Sequence, residues 1–245
     1  KDHMDSVVID DFDFSLIADF FKRVDRQGPG GERETLLATS LIPAVDKPIH
    51  IADMGCGKGS QTFVLADRYD AEIEAVDLLP EMMDGIREQS LRRGMESRVH
   101  PVQASMDALP FQREMFDLIW AEGSIFIMGY EKGLRYWHRF LKPGGFVAVT
   151  DCTWFGKKRP ANMKWIEDNL PEIDTVEHKI GLMEEAGYEP FAHFFLPETC
   201  WTKNYYEPMR PVMDTFLKDH AGEADAQIFI DRLKEEMAYY EANKD

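Results

Sequence analysis

The stretch that most constrains this 245-residue chain is Ile49 to Gln61, IHIADMGCGKGSQ. An apolar run carrying Asp53 is followed by Gly55, Gly57 and Gly59 on alternate positions and then by a helical pattern. That order describes a strand ending in a tight turn that a ligand must approach. Glycines there remove side chains from the approach and permit positive φ, and the following helix offers unpaired N–H groups to an anionic ligand group. Asp77 stands 22 residues after Gly55, closing a second strand-like run that begins at Glu72. An acid in that place holds a ribose hydroxyl pair in nucleotide-binding α/β folds.

A dinucleotide loop has the spacing G-x-G-x-x-G, and Ser60 stands where its third glycine or alanine would be. The pattern from Asp53 to Gly59 is D-x-G-x-G-x-G. Together with Asp77 it resembles motif I and the next acidic position of class I S-adenosylmethionine (SAM)-dependent methyltransferases.

From Pro48 onward strand and helix alternate, which predicts a Rossmann-like, doubly wound α/β fold: a mostly parallel sheet with helices on both faces. The expected strands are Ile49–Met54, Glu72–Leu78, Val99–Gln103, Phe116–Ala121, Phe146–Asp151 and a sixth at Phe191–Leu196, with no clear seventh. Between the first strands lie the helices Ser60–Arg68 and one opened by Pro80 and closed by Gly94, with Met83, Ile86 and Leu91 turned inward. A helix over Tyr130–Leu141 precedes Lys142-Pro143-Gly144-Gly145 and a buried strand, and another spans Thr175–Gly187. That LKPGG-then-strand passage adds to the resemblance. Two helices precede the sheet, Asp13–Val24 with Phe14, Ile17, Phe20 and Phe21 at helical spacing, and Glu32–Ile42. Two more, Met209–His220 and Ala224–Tyr240, form a C-terminal helical cap.

The expected organisation is a single domain over 1–245: N-terminal helices in 1–45, a core over 46–200 with a lid insert at about 152–172, and C-terminal helices over 201–245. Lys1 to Met4 read as the remnant of a cleaved tag. Trp120-Ala121-Glu122-Gly123, Asp151 to Phe155 and Leu196 to Trp201 narrow the resemblance to bacterial small-molecule methyltransferases, the group that also includes quinone C-methylating enzymes.

The resemblance implies SAM as cofactor, with S-adenosylhomocysteine as product, and a small organic acceptor. Contacts to SAM are implied for Gly55, Cys56, Gly57 and Gln61 in and after the loop, and for the acids Asp53, Asp77 and Glu122 at the strand ends. Leu78, Ser105 and Met106 would lie along the adenine, although the family writes Asp where this chain has Ser105. Gln27, Gly28 and Gly30, in the Gln27–Gly31 loop, would close over the methionine end.

Methyl transfer from a sulfonium is a direct displacement, so the protein has mainly to align the reactants and exclude water. If the acceptor must lose a proton, a base is needed within reach, and Glu122, Asp151 and His193 are the candidates, Glu122 foremost. Trp154, Phe155, Trp165, Trp201, Tyr205 and Tyr206 together point to a mostly apolar acceptor pocket.

A formal charge of −17 argues against nucleic acid or an anionic membrane as partner. With no run of ~18 apolar residues, the chain reads as cytoplasmic. Cys56, Cys152 and Cys200 are odd in number and widely spaced, which indicates neither a disulfide framework nor a metal site. A homodimer is left open. Two other readings stand beside methyl transfer, a nicotinamide-dependent oxidoreductase and a SAM-binding protein without catalysis; the glycine spacing disfavours the first and the aromatic lid the second.

Overall fold

A computed structural model describes residues 14–46 and 48–245, so the tag-like Lys1–Met4 and the expected helix start at Asp13 lie outside the described residues. Among those residues one sheet of five strands is formed, in the order β3-β2-β1-β4-β5. The strands are β1 (Ile49–Met54), β2 (Ala71–Asp77), β3 (Val99–Gln103), β4 (Phe116–Ala121) and β5 (Leu141–Val149), and every pairing is parallel. The order reverses between β1 and β4. In a doubly wound sheet the crevice beyond the strand ends at such a reversal is where ligands bind.

The two faces of the sheet follow from the alternation of side chains along each strand. Ile49, Ile51, Ile73, Ala75, Leu118 and Trp120 meet Phe63, Leu65 and Ala66 of α3 (Ser60–Arg68) and Met82, Met83 and Ile86 of α4 (Pro80–Arg93). Ala52, Met54, Val76, Ile119 and Ala121 bury the opposite face against Ile125 of α5 (Ile125–Met128) and Tyr130, Leu134 and Trp137 of α6 (Tyr130–His138). Helix α8 (Val176–Glu185) joins that second layer through Leu182 and Met183. Helix α4 begins at Pro80 and stops at Gly94, whose φ of +64° provides the left-handed cap expected there. Leu91, expected inward, is instead 67% exposed. It falls off the stripe set by Met83, Ile86 and Ser90, beyond the reach of the sheet.

A third apolar cluster unites the two ends of the chain. Leu16 and Phe20 of α1 (Phe14–Phe21) pack with Met209, Met213 and Phe216 of α10 (Glu207–Asp219) and with Phe229, Ile230, Leu233 and Met237 of α11 (Ala224–Asn243). Phe20 touches the rings of both Phe216 and Phe229 edge-on. Phe14, assigned to that face by its spacing, is exposed because the helix turns Leu16, Ala18 and Phe20 inward. Asp19 and Arg23 tie the same helices together through His220 and Asp219.

Two expectations about the sheet need correction. The LKPGG passage lies inside β5: Leu141 pairs with Phe116 and Phe146 with Leu118, so Lys142 to Gly145 form a bulge in the ladder. A side chain at Gly145 would come within 2.9 Å of the Lys142 carbonyl and 3.1 Å of that of Asp117. The expected sixth strand at Phe191–Leu196 does not form. No ladder partner is paired with the run FAHFFL among the described residues, and aromatic contacts hold it instead. Phe191 meets Phe146 edge-on at 5.8 Å and Phe195 meets Phe155 at 4.7 Å. No strand follows it among the described residues.

Candidate functional site

The carboxyl ends of β1, β2 and β4 converge on the glycine loop. Gly57 sits at φ +57°, and a Cβ there would lie 2.3 Å from Oε1 of Gln27, whose oxygen accepts from the Lys58 N–H at 3.0 Å. The same amide side chain donates to the carbonyls of Phe21 and Val24. Thus the space left by Gly57 is used first by the chain's own N-terminal segment rather than kept clear for a ligand. Gly55 is likewise crowded, by Ser124 at 2.5 Å, and Gly59 by Phe63 at 2.5 Å. Lys58 Nζ donates to the carbonyls of Lys22 and Val24, and Ser60 Oγ to that of Asp25, so the segment before Gln27 is sewn to the loop.

The three strand-end acids differ in kind. Asp53 is fully buried beneath the loop, and its oxygens accept from Gln61 Nε2 at 3.1 Å and Thr62 Oγ1 at 2.6 Å. Burial raises its carboxyl to about 7 against the pull of those two bonds. With no exposed surface it positions the start of α3, while Gln61, which donates to it, also lines the cleft. Asp77 faces the cleft, with one oxygen accepting from Gly57 N at 3.0 Å and the other from Leu79 N at 3.1 Å. Burial pushes its carboxyl upward, and the N–H groups of Leu79, Gly57 and Leu78 oppose this. Each oxygen keeps a second lone pair. Leu78 beside it is 49% exposed, an apolar surface open to the cleft.

Glu122 leaves the end of β4 and accepts from Thr35 Oγ1 of α2 (Glu32–Leu41) at 3.0 Å and from Trp120 Nε1 at 3.2 Å. Burial raises it, while Arg26 and those bonds pull it back. Gly30 is held nearby: its N–H donates to the Cys200 carbonyl, and its own carbonyl accepts from Asn204. Gln27, Gly28, Cys56, Gly57, Asp77 and Glu122 all line one cleft. Gly30 backs it against Arg26 and Glu122, while Asp53 lies underneath.

After β3, Ser105 and Met106 line the same cleft. The Ser105 hydroxyl donates to Asp107 at 2.5 Å, which restores a carboxylate next to the position where the family writes Asp. Trp137 Nε1 donates to the Met106 carbonyl at 3.1 Å and fixes the segment over α6.

The far side of the cleft is made by residues 152–172, the expected lid, and by the C-terminal helices. Helix α7 (Met163–Asn169) lies in the lid, with Trp165 stacked on Tyr239 of α11 at 4.0 Å, and Tyr239 donates to the Asn162 carbonyl. Helix α9 (Glu198–Trp201) runs into a π-helical turn, Thr202–Tyr206, that continues as α10. Of the other candidate bases, Asp151 is committed to a buried ion pair with Lys179, and His193 is exposed, edge-on to Phe195. Sequence reasoning missed Glu236, which lines the cleft on α11 and which burial raises to about 7. A Glu in an amphipathic C-terminal helix reads as solvated, and only the packing of Leu233 and Met237 into the cap reveals that the residue between them faces inward. Among the described residues no group of three or more His, Cys, Asp or Glu could hold a metal ion, and no helix is long and apolar enough to cross a membrane.

With this geometry in view, comparison with known proteins is specific. Residues 51–145 match the model of a methyltransferase domain. Sarcosine/dimethylglycine N-methyltransferase of Halorhodospira halochloris is 28% identical over 212 residues, 85% of this chain and 74% of that protein. Methyltransferase GfsG of Streptomyces halstedii is 30% identical over 174 residues, 68% of this chain and 62% of that protein. The fold matches a SAM-dependent methyltransferase from Geobacter sulfurreducens in complex with S-adenosylhomocysteine, with a TM-score of 0.78 at 14% identity over 93% of this chain and 92% of that one. The oxidoreductase alternative finds no support among these relatives. The D-x-G-x-G-x-G loop, the acid closing β2, the matching domain and the matching fold agree: this chain belongs to the class I SAM-dependent methyltransferases and uses SAM to methylate a small molecule.

Proposed function

We propose that SAM lies across the loop with its ribose hydroxyls on Asp77, its adenine between Leu78 and the Ser105–Met106 segment, and its methionine end toward Gln27, Gly28, Gly30 and Glu122. The observation that carries this reading is Asp77. Its two oxygens accept from the backbone N–H groups of Gly57 and Leu79 beside the cleft and keep capacity for hydroxyl donors. The residues fit the group in two further respects: an apolar surface is exposed at Leu78, and the buried carboxylate of Glu122 suits the positive sulfonium and ammonium of SAM. Cys56, adjoining Gly57, contributes through its backbone, since its thiol is buried. Asp53 and Gln61 act from beneath by holding the loop and α3.

When bound, SAM supplies a methyl group on a positive sulfur, open to in-line attack. The protein's share is alignment and the exclusion of water. Helix α2 fixes Glu122 through Thr35, the segment before Gln27 braces the loop, and the lid helix, stacked on α11 through Trp165 and Tyr239, closes the acceptor side. Glu122 is already taken by Thr35 and Trp120, which argues for a charge-stabilising role toward SAM rather than for the proton-accepting role expected from its position. We read 1–45 and 201–245 as the two halves of one cover over the 46–200 core, so that the chain works as a single unit.

The finer reading is a cytoplasmic, bacterial-type enzyme with no nucleic-acid partner, since −17 of formal charge repels phosphate. The experiment is release of S-adenosylhomocysteine from SAM in the presence of a panel of small amines, phenols, thiols and carbon acids. Release that depends on one chemical class supports the reading; none from any class, by protein that binds SAM, would overturn catalysis and leave a SAM-binding protein.

A further inference from the structure

The acceptor half of the cleft has a chemistry of its own. The π-helical turn Thr202–Tyr206 sets the consecutive rings of Tyr205 and Tyr206 side by side, 5.1 Å apart and 30° from parallel. Such a turn widens the helix by one residue and recurs at functional sites. Tyr240 of α11 meets Tyr206 edge-on at 5.6 Å and stacks on Trp201 at 5.0 Å. Tyr206 is 3% exposed and lines the cleft, yet its hydroxyl has no hydrogen-bond partner among the described residues. One turn before Tyr240 stands Glu236, which forms no hydrogen bond or ion pair with any described residue. Glu236 is part-buried, whereas the Tyr206 hydroxyl is a buried polar group without a partner, which is costly unless a ligand supplies one.

Several other charges near this box are already matched. Asp151, beyond β5, is paired with Lys179 of α8, and Lys179 also lies 4.6 Å from the ring centre of Tyr130. Lys244, capping the end of α11, is held by Glu198 and Glu241. Burial raises Tyr205, Tyr206 and Cys152 toward their protonated forms, and the carboxylate of Glu236 adds to the rise in each, which brings these groups into one electrostatic neighbourhood. Arg232, a turn earlier on α11, has contacts of its own. Glu236 stands as an unmatched negative charge beside these aromatic faces, which favours a cation both by charge and by the ring quadrupoles.

We propose, building on the cofactor reading above, that this box of Glu236, Tyr205, Tyr206 and Tyr240 takes the methyl acceptor as a protonated amine. Glu236 accepts the ammonium proton. The freed nitrogen lone pair forms the new N–C bond to the transferred methyl, and the C–S bond breaks with its electron pair left on sulfur. The products are a methylated ammonium and neutral S-adenosylhomocysteine, and the proton passes from Glu236 to solvent. The box thus accounts for an acid placed in a pocket that the lid aromatics alone would make apolar.

The test is a calorimetric titration with choline and with its neutral isostere 3,3-dimethylbutan-1-ol, run with and without saturating S-adenosylhomocysteine, on wild type, Glu236→Gln and Tyr240→Leu. Choline should bind at least tenfold more tightly than the alcohol. Glu236→Gln should remove that preference while its affinity for S-adenosylhomocysteine is unchanged, and Tyr240→Leu should weaken choline several-fold. Equal affinity for choline and the alcohol, or undiminished choline binding by Glu236→Gln, would overturn the amine site. Failure of S-adenosylhomocysteine to bind would overturn the cofactor reading instead, and the titration without it still decides the box.

Discussion

Placing an alanine at Gly57 tests how the loop is held. The residue has φ +57°, a left-handed conformation that costs an L-residue ~1–2 kcal/mol. The new Cβ would sit 2.3 Å from Gln27 Oε1, so Gln27 has to leave. With it go three hydrogen bonds, to Lys58 N and from Gln27 to the carbonyls of Phe21 and Val24, each contributing ~0.5–1.5 kcal/mol. Gly57→Ala in the wild-type background therefore costs about 2.5–6.5 kcal/mol, or a fall in Tm of roughly 5–25 °C at ~2–4 °C per kcal/mol for a chain of this size. In a Gln27→Ala background the nearest of these atoms is the Cβ of residue 27 at 3.6 Å, an ordinary contact, and only the strain of ~1–2 kcal/mol remains. The assay is a double-mutant cycle from chemical denaturation, with an expected coupling of about 1.5–4.5 kcal/mol between the two positions. An equal cost of Gly57→Ala in both backgrounds would show that Gln27 does not brace the loop.

Lys179→Met leaves Asp151 buried without its partner and should destabilise the fold by ~3–5 kcal/mol in urea melts; adding Asp151→Leu should restore most of the loss, and no loss in the single variant would refute the buried pair. Asp53 has a carboxyl raised to about 7 when folded against ~3.9 unfolded, so its contribution is fully present below pH ~3.9 and is lost as pH climbs to about 7. Asp53→Asn should accordingly gain in stability relative to wild type between pH 5 and pH 8, and a pH-independent difference would contradict the burial of this acid.

Much of the core was legible because its signals are local. Strands β1, β3 and β4 are short apolar runs ended by acid or polar residues, and Pro80 with Gly94 marks both ends of α4 by fixed backbone requirements. The site acids at the strand ends followed from the same grammar, yet their division of labour did not. That Asp53 faces down onto Thr62 while Asp77 faces the cleft depends on how α3 docks, which no spacing encodes. Phe191 to Leu196 reads as a strand by composition, but strand formation needs a ladder partner, and aromatic contacts to Phe146 and Phe155 win instead. The acceptor side was least legible. Glu236 becomes a site residue only when α11 buries Leu233 and Met237 against α1 and α10, at opposite ends of the sequence.

The most direct measurement is a calorimetric titration of S-adenosylhomocysteine into wild type and Asp77→Ala, with NAD as the control ligand. Removing a carboxylate that accepts from both ribose hydroxyls takes away charge-assisted bonds of ~1.5–3 kcal/mol, so the variant should bind at least about tenfold more weakly, with no heat from NAD in either protein. An unchanged Kd in Asp77→Ala, or tighter binding of NAD than of S-adenosylhomocysteine, would contradict the assignment of the cleft to SAM.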